Sequence, residues 1–325
     1  MMTVTFFVSA LAAIFVIALI AAITFGGPNA PPPMSSVNEA FKTFSLEGLP
    51  SLQRWTARDG ASLAFREYLP RGASKDACVV LIHGSAGRSD GLHGLAFGFA
   101  GSGYRVFALD VRGHGESGRK GCIGYIGQLE DDLEDFFAAK CPQGKTSLVG
   151  FSAGGGFALR FAADSRCRLF RNYLLMAPFL SQTATTYRPG SGGWISVGLP
   201  RIVGLILLNR IGIRRFNHLK VTAFALSPQA RAQLTSGYSF SLALNFRPNN
   251  DWRANIATVT APMEVLVGDK DDQFRADRFH DEFQVSKRHV AVTVLSGVGH
   301  IDLTISPSAV QAAIDAIDRL NAIAV

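Results

Sequence analysis

Residues 145–164 read KTSLVGFSAGGGFALRFAAD. The first part, Thr146 to Phe151, is short and mostly apolar, the pattern of a buried strand. The last part, Phe157 to Ala163, spaces its apolar residues as a helix does. Between them lies Gly150-Phe151-Ser152-Ala153-Gly154, with small residues at 150, 153, 154, 155 and 156 that let the backbone crowd into a tight turn. A serine at the apex of such a strand–turn–helix holds its hydroxyl clear of the sheet, close to the N–H groups that open the helix. The plain structural alternative for Ser152 is a helix N-cap. The same G-x-S-x-G spacing recurs at Gly87-Arg88-Ser89-Asp90-Gly91, but Ser89 sits in a polar loop past the strand that ends at His83.

Other apolar runs match the strand before Ser152. Ala77–Ile82, Tyr104–Leu109, Ser147–Phe151, Tyr173–Met176, Met263–Val267 and Val290–Leu295 read as strands buried on both faces. Gln53–Ala57 and Ala61–Leu69 alternate as a hairpin around Arg58-Asp59-Gly60. Helical patterns fall between the strands, at Leu92–Ala100, Ile126–Ala139, Ala153–Ala163, Phe274–Phe283 and Pro307–Ile323. Alternating strands and helices predict an α/β fold, a mostly parallel central sheet with helices on both faces. The alternation breaks between Ser181 and Trp252, which reads as a cap inserted over the site. Its most apolar part, Gly198–Leu219, reads GLPRIVGLILLNRIGIRRFNHL. The 13 residues Ile202–Arg214 are too few to span a bilayer. They read either as a buried cap helix or as a lid whose apolar face closes an acyl pocket. In the second reading Arg201, Arg210, Arg214 and Arg215 meet anionic lipid heads.

The chain has 325 residues, 18% of them charged, and a mean hydropathy of +0.19. One segment explains much of that apolarity. Val4 to Phe25 carries no charge and, as a helix, spans about 33 Å at roughly 1.5 Å per residue. A cleavable signal peptide wants a positive start and a shorter apolar run, and no Lys or Arg precedes Lys42. The segment therefore reads as a single N-terminal transmembrane anchor, with its orientation left open by the lack of flanking charge. Gly26 to Ser36, with Pro28, Pro31, Pro32 and Pro33, reads as a stiff linker. The resulting division is residues 1–25 as anchor, 26–48 as linker, 49–180 and 253–325 as core, and 181–252 as cap. The net charge of +7 is not gathered into a basic block interleaved with aromatics, so no nucleic-acid face is expected. Cys78, Cys122, Cys141 and Cys167 match no metal spacing and read as free thiols.

A serine nucleophile needs a base, and the base needs an orienting acid. His300 lies in a glycine-rich loop, Leu295-Ser-Gly-Val-Gly-His-Ile301, between the last strand and the last helix. Asp269, Asp271 and Asp272 follow the strand before it, so all three candidate groups sit at carboxyl ends of strands in the order Ser, Asp, His. Leu81-Ile82-His83-Gly84-Ser85-Ala86-Gly87 closes a strand with small residues. The N–H groups of Ser85 and Ala153 are the candidate oxyanion donors.

Together these pieces resemble the serine-type α/β-hydrolases of the lysophospholipase, monoacylglycerol lipase and serine aminopeptidase group. The matching residues are His83-Gly84, Asp110-Val-Arg-Gly-His-Gly115, the turn at Ser152, Gly268-Asp-Lys-Asp271 and Gly299-His300. The resemblance covers Leu49 to the C-terminus, and its spacing of Gly, two residues, then Asp implies Asp271 as the acid. It implies an α/β-hydrolase fold, an acyl-enzyme mechanism without cofactor or metal, and an ester of a lipid or other apolar acyl group as substrate. An aminopeptidase or amidase on the same triad is the alternative, and a non-catalytic binding protein a more distant one. The cap and the anchor match no specificity pattern of that group. Gly113-His-Gly-Glu-Ser-Gly118 fits a dinucleotide spacing but precedes no helix, and reads as a structural loop. The acidic run Glu130–Asp135 reads as a solvated helix face rather than a metal site.

Overall fold

The six apolar runs lie side by side in one sheet. The computed structural model describes residues 2–40, 45–140, 144–287 and 289–323, with side chains described except for 2–5 and 38–40. In chain order, α1 (Met2–Phe25) and α2 (Ser35–Ala40) precede a hairpin of β1 (Leu52–Thr56) and β2 (Ser62–Tyr68). There follow β3 (Ala77–Ile82), α3 (His93–Gly101), β4 (Arg105–Leu109), α4 (Gln128–Lys140), β5 (Lys145–Phe151), α5 (Ala153–Ala162) and β6 (Asn172–Met176). The inserted segment holds β7 (Ile195–Val197), α6 (Leu199–Arg210), β8 (Thr222–Phe224), α7 (Pro228–Gln233) and α8 (Phe240–Asn245). The chain then adds α9 (Trp252–Thr258), β9 (Met263–Gly268), α10 (Phe279–Phe283), β10 (Ala291–Leu295), α11 (Asp302–Ile305) and α12 (Pro307–Ala322).

The sheet has eight strands in the order β1-β2-β4-β3-β5-β6-β9-β10. Within it β1–β2 and β2–β4 pair antiparallel, and the other neighbours are parallel. Every residue of β3, β6 and β9 is buried, as a sheet covered on both faces requires. After β3 the chain goes first to β4 on one side and then to β5 on the other. The loops leaving β3 and β5 therefore part at that point, which is where open α/β sheets hold their sites. Ile82 pairs with Gly150 and Leu295 with Gly268, so the carboxyl ends of these strands meet at one edge.

Four expectations change. The helix expected over Phe274–Phe283 is a 3-10 turn, Ala276–Arg278, followed by the short α10. The helix expected within Gly198–Leu219 ends at Arg210, and Gly212, in the left-handed region at φ 83°, turns the chain away. The linker is more than a spacer: the Met34 N–H donates to the Ala225 carbonyl at 2.9 Å, and Val37 is buried. The acidic run on α4 is not a solvated face. Arg160 pairs with Glu130, Arg112 with Asp132, Arg166 with Asp131 and Arg58 with Asp135. Glu130 and Asp132 are buried beside their arginine partners, and at Asp132 burial outweighs Arg112 and pushes the carboxyl up. Cys122 and Cys167 carry free thiols, and burial pushes the Cys78 thiol up; Cys141 lies outside the described residues.

α1 is exposed, and over Phe6–Phe25 it is long and apolar enough, by length and composition, to cross a bilayer.

Arg160→Met should lower stability by about 3 kcal/mol, because it strips its partner from a carboxylate that is 3% exposed. Lys75→Met, at a pair whose side chains are 36% and 44% exposed, should stay within about 1 kcal/mol. Denaturant melts of the two variants compare them directly. Equal losses would mean the α4 network is held by solvent rather than by burial.

Candidate active site

β5 delivers Phe151 to the sheet edge and α5 begins at Ala153, leaving Ser152 to make the turn alone. Its φ of 54° and ψ of −117° are rare for a residue with a side chain and cost on the order of 1–3 kcal/mol. Three backbone hydrogen bonds hold it there. The Ser152 N–H donates to Met176 O at 2.8 Å, and its carbonyl accepts from Gly156 and Phe179, both at 3.0 Å. A Cβ on Gly150 would sit 2.3 Å from the Gly154 carbonyl, and one on Gly154 would sit 2.4 Å from the His83 carbonyl. Glycine at both positions is what lets β3, β5 and α5 approach this closely.

The structure brings Ser152, His300 and Asp271 together. His300 Nε2 is 3.1 Å from Ser152 Oγ, and His300 Nδ1 is 2.7 Å from Asp271 Oδ2. Nδ1–H donates to the carboxylate, which leaves Nε2 to accept the serine hydroxyl. The other Asp271 oxygen accepts the N–H groups of Gln273 and Phe274, each at 2.8 Å. Burial pushes the Asp271 carboxyl up, but His300 and these two donors outweigh it and hold the carboxyl below its usual range. Phe151 and Phe274 rings flank the imidazole at 4.8 and 5.3 Å and fix its plane. Asp269 instead braces a loop. Its Oδ1 accepts the Gly297 N–H at 2.7 Å, fastening the segment that carries His300. Asp272 is half-buried and takes no part in the imidazole's hydrogen bonds to Asp271 and Ser152.

Ser89, in the second copy of the serine spacing, opens a 3-10 turn and gives its N–H to Asp110 Oδ1 at 2.7 Å. Asp110 Oδ2 accepts the Glu116 N–H at 2.9 Å, so the Gly113–Gly118 loop is tied down as structure.

The loop after β3 lies against the serine: a Cβ on Gly84 would be 3.1 Å from Ser152 Cβ. Among the described residues, neither the Ser85 nor the Ala153 N–H has a protein partner. Two cap residues that sequence reasoning missed brace this loop. Trp194 Nε1–H donates to Ser85 Oγ at 2.8 Å, and the Ala86 N–H donates to Tyr238 Oη at 2.9 Å. Tyr238 in turn donates to His114 Nε2 at 2.8 Å. Burial holds His83 and His114 below the usual imidazole range, so both stay neutral hydrogen-bonding groups. Both bracing contacts cross more than a hundred residues of chain, and no local pattern in the sequence marks them.

Above Ser152 and His300 opens a cavity of about 360 Å³. Trp194, Leu226 and Leu234 from the inserted segment form much of its apolar wall, and Leu92 and Ile301 line it as well. Val37 and Leu46, from the segment after α1, also line it. No residue of α6 does, which corrects the expectation that this helix closes the acyl pocket; α7 supplies Gln229, Ala230 and Gln233 in its place. The charged pair on the wall is self-neutralised, Arg88 to Asp90 at 2.7 Å.

The chain resembles known proteins. The family described as "Serine aminopeptidase, S33" matches residues 73–301. A monoacylglycerol lipase of Mycolicibacterium smegmatis is 30% identical over 216 residues, 62% of this chain and 71% of that protein. Among solved structures, a soluble variant of monoglyceride lipase from Saccharomyces cerevisiae, bound to a substrate analogue, superposes with a TM-score of 0.66 at 17% identity. That superposition covers 86% of this chain and 97% of the other. A membrane phospholipase A, described as a bacterial virulence factor, superposes with a TM-score of 0.58 at 17% identity, covering 98% of this chain and 100% of its own. These likenesses show the α/β-hydrolase fold.

Asp271→Asn should lower kcat by roughly 10⁴, the cost of losing the carboxylate that sets the imidazole tautomer. Asp269→Asn should cost far less and act through loop stability, visible as a lowered melting temperature. Comparable rate losses in the two variants would remove the distinction drawn between them.

Proposed function

The chain belongs to the serine aminopeptidase (S33) family of hydrolases, and from that premise we propose that it is a membrane-anchored serine hydrolase cleaving carboxylic esters of apolar acyl groups. The observation that carries the reading is the hydrogen-bonded run Asp271–His300–Ser152 at the floor of an apolar cavity. Ser152 attacks the ester carbonyl while His300 Nε2 takes its proton. The oxyanion that develops is met by the N–H groups of Ser85 and Ala153, each worth on the order of 3 kcal/mol. His300 then protonates the leaving alcohol, and an acyl-enzyme remains. Water, activated by the same imidazole, releases the acid. Asp271 stabilises the imidazolium throughout and stays ionised.

The wall composition supports a lipid-like substrate. Leu226, Leu234, Leu92 and Trp194 suit an acyl chain, while Gln229, Gln233 and Gln273 offer amides to a small polar head. With Arg88 and Asp90 cancelling each other, an uncharged head such as glycerol fits best. The monoacylglycerol lipase likeness points the same way. An aminopeptidase would want an unpaired carboxylate for the substrate amine, and Asp90, the carboxylate on the wall, is already paired. A non-catalytic binding protein is disfavoured because all three triad side chains are present and engaged. In this reading residues 1–25 are a retained anchor, 26–48 a linker, 49–180 with 253–325 the core, and 181–252 the cap.

A fluorophosphonate probe should label the protein and the Ser89→Ala variant but not Ser152→Ala, whose kcat should fall by as much as about 10⁶. Monoacylglycerols and long-chain p-nitrophenyl esters should be turned over faster than aminoacyl anilides. The reverse preference would assign the triad to amide cleavage.

A further inference from the structure

The carboxyl end of α1 does not stand free. It packs against α6, with Pro200 beside Gly26 and Gly204 beside Ile23 and Leu19, so the two helices run antiparallel. A Cβ on Gly204 would come within 2.8 Å of Ile23 and 3.4 Å of Leu19, the close approach that small residues give paired helices in a membrane. Arg201 joins them. Its Nε and Nη2 donate to the carbonyls of Ile23 and Thr24 at 2.7 and 2.8 Å, and its Nη1 donates to Lys220 O at 2.7 Å. The last carbonyls of a helix have no partner within it, and a cation suits that end of the dipole. α1 carries no basic residue in its own last turn, so α6 supplies it.

The surface around this joint is apolar and then basic. α6 exposes Leu199, Val203 and Ile206, and the turn after it exposes Ile211 and Ile213. Arg210, Arg214 and Arg215 are exposed, and among the described residues none of them pairs with a carboxylate. Residues 199–220 contain no Asp or Glu at all.

Depth follows from the packing. Leu19 lies six residues before the end of α1, about 9 Å along the helix. If α1 ends at the membrane surface, Gly204 must lie below it, within the roughly 5–10 Å that interfacial helices occupy. We propose that α6 and the turn 211–215 form a second membrane contact, lying in the interface of an anionic phospholipid bilayer, with Arg201 holding α1 and α6 as one unit. This rests on the reading of α1 as a retained anchor. It also bears on the substrate: β7 joins the start of α6 to Trp194, and β8, paired with β7, leads to Leu226, both on the cavity wall, so the cavity stands about one three-residue strand, roughly 10 Å, from the bilayer.

The full-length protein in vesicles of phosphatidylglycerol and phosphatidylcholine tests this. A bimane label is placed on Ile17→Cys, Ile211→Cys or Asp277→Cys, with label on the unsubstituted protein subtracted, and quenching by lipids brominated on the acyl chain is read. We expect quenching at 17 and 211 and none at 277. Adding Arg210→Glu, Arg214→Glu and Arg215→Glu should reduce the signal at 211 by roughly half or more in anionic vesicles while leaving 17 unchanged. Quenching at 17 but not at 211 would overturn the second contact and leave the anchor standing. Equal quenching at 211 with and without the three arginines would overturn the anionic partner. No quenching at 17, with a shortened N-terminus by mass spectrometry, would overturn the anchor and the proposal with it.

Discussion

The turn at Ser152 is the constraint on which the site depends. A residue with a side chain is held at positive φ, and backbone groups of α5, β6 and the loop after β6 hold it. That arrangement is possible only where β3, β5 and α5 come closer than side chains allow, hence the glycines at 150 and 154. The strain raises the hydroxyl off the sheet and aims it at the loop carrying His300. The same crowding brings the β3 loop, with its Ser85 N–H, alongside the serine.

From that turn the fold is a series of braces on loops. Asp269 fastens the His300 loop, two backbone N–H groups orient Asp271, and Asp110 ties the Gly113–Gly118 loop. The cap adds Trp194 and Tyr238, which hold the β3 loop from above. A side chain held by several partners loses little entropy when the substrate arrives, which is what preorganisation requires. The same cap reaches outward through β7 and β8 to α6, and through α6 to α1. Site and α1 are thus linked by short, hydrogen-bonded segments rather than by a loose tether.

Much of this is legible in the chain because burial leaves a plain mark. Runs such as Ala77–Ile82 and Met263–Val267 are apolar throughout, and their strands begin and end within a residue or two of the expected positions. Ser152 and His300 stand out because glycines surround them. The acid is harder to read: three aspartates stand within four residues, and what each one does depends on which backbone donors the folded loop presents. The acidic run on α4 misleads because Arg58, Arg112 and Arg160 come to it from distant parts of the chain. The apolarity of Leu199–Arg210 is visible in the sequence, but not its partner. An apolar stripe fits a core, a pocket or another helix equally well, and here Gly204 and Arg201 select α1.

In the proposed mechanism Ser152 carries the acyl group between the two half-reactions. Rapid quenching of the protein during the first turnover of a long-chain p-nitrophenyl ester, followed by peptide mass spectrometry, reads this directly. We expect a burst of nitrophenol matched by an acyl adduct on Ser152. Steady ester cleavage with no adduct, or with the acyl group on another residue, would contradict it.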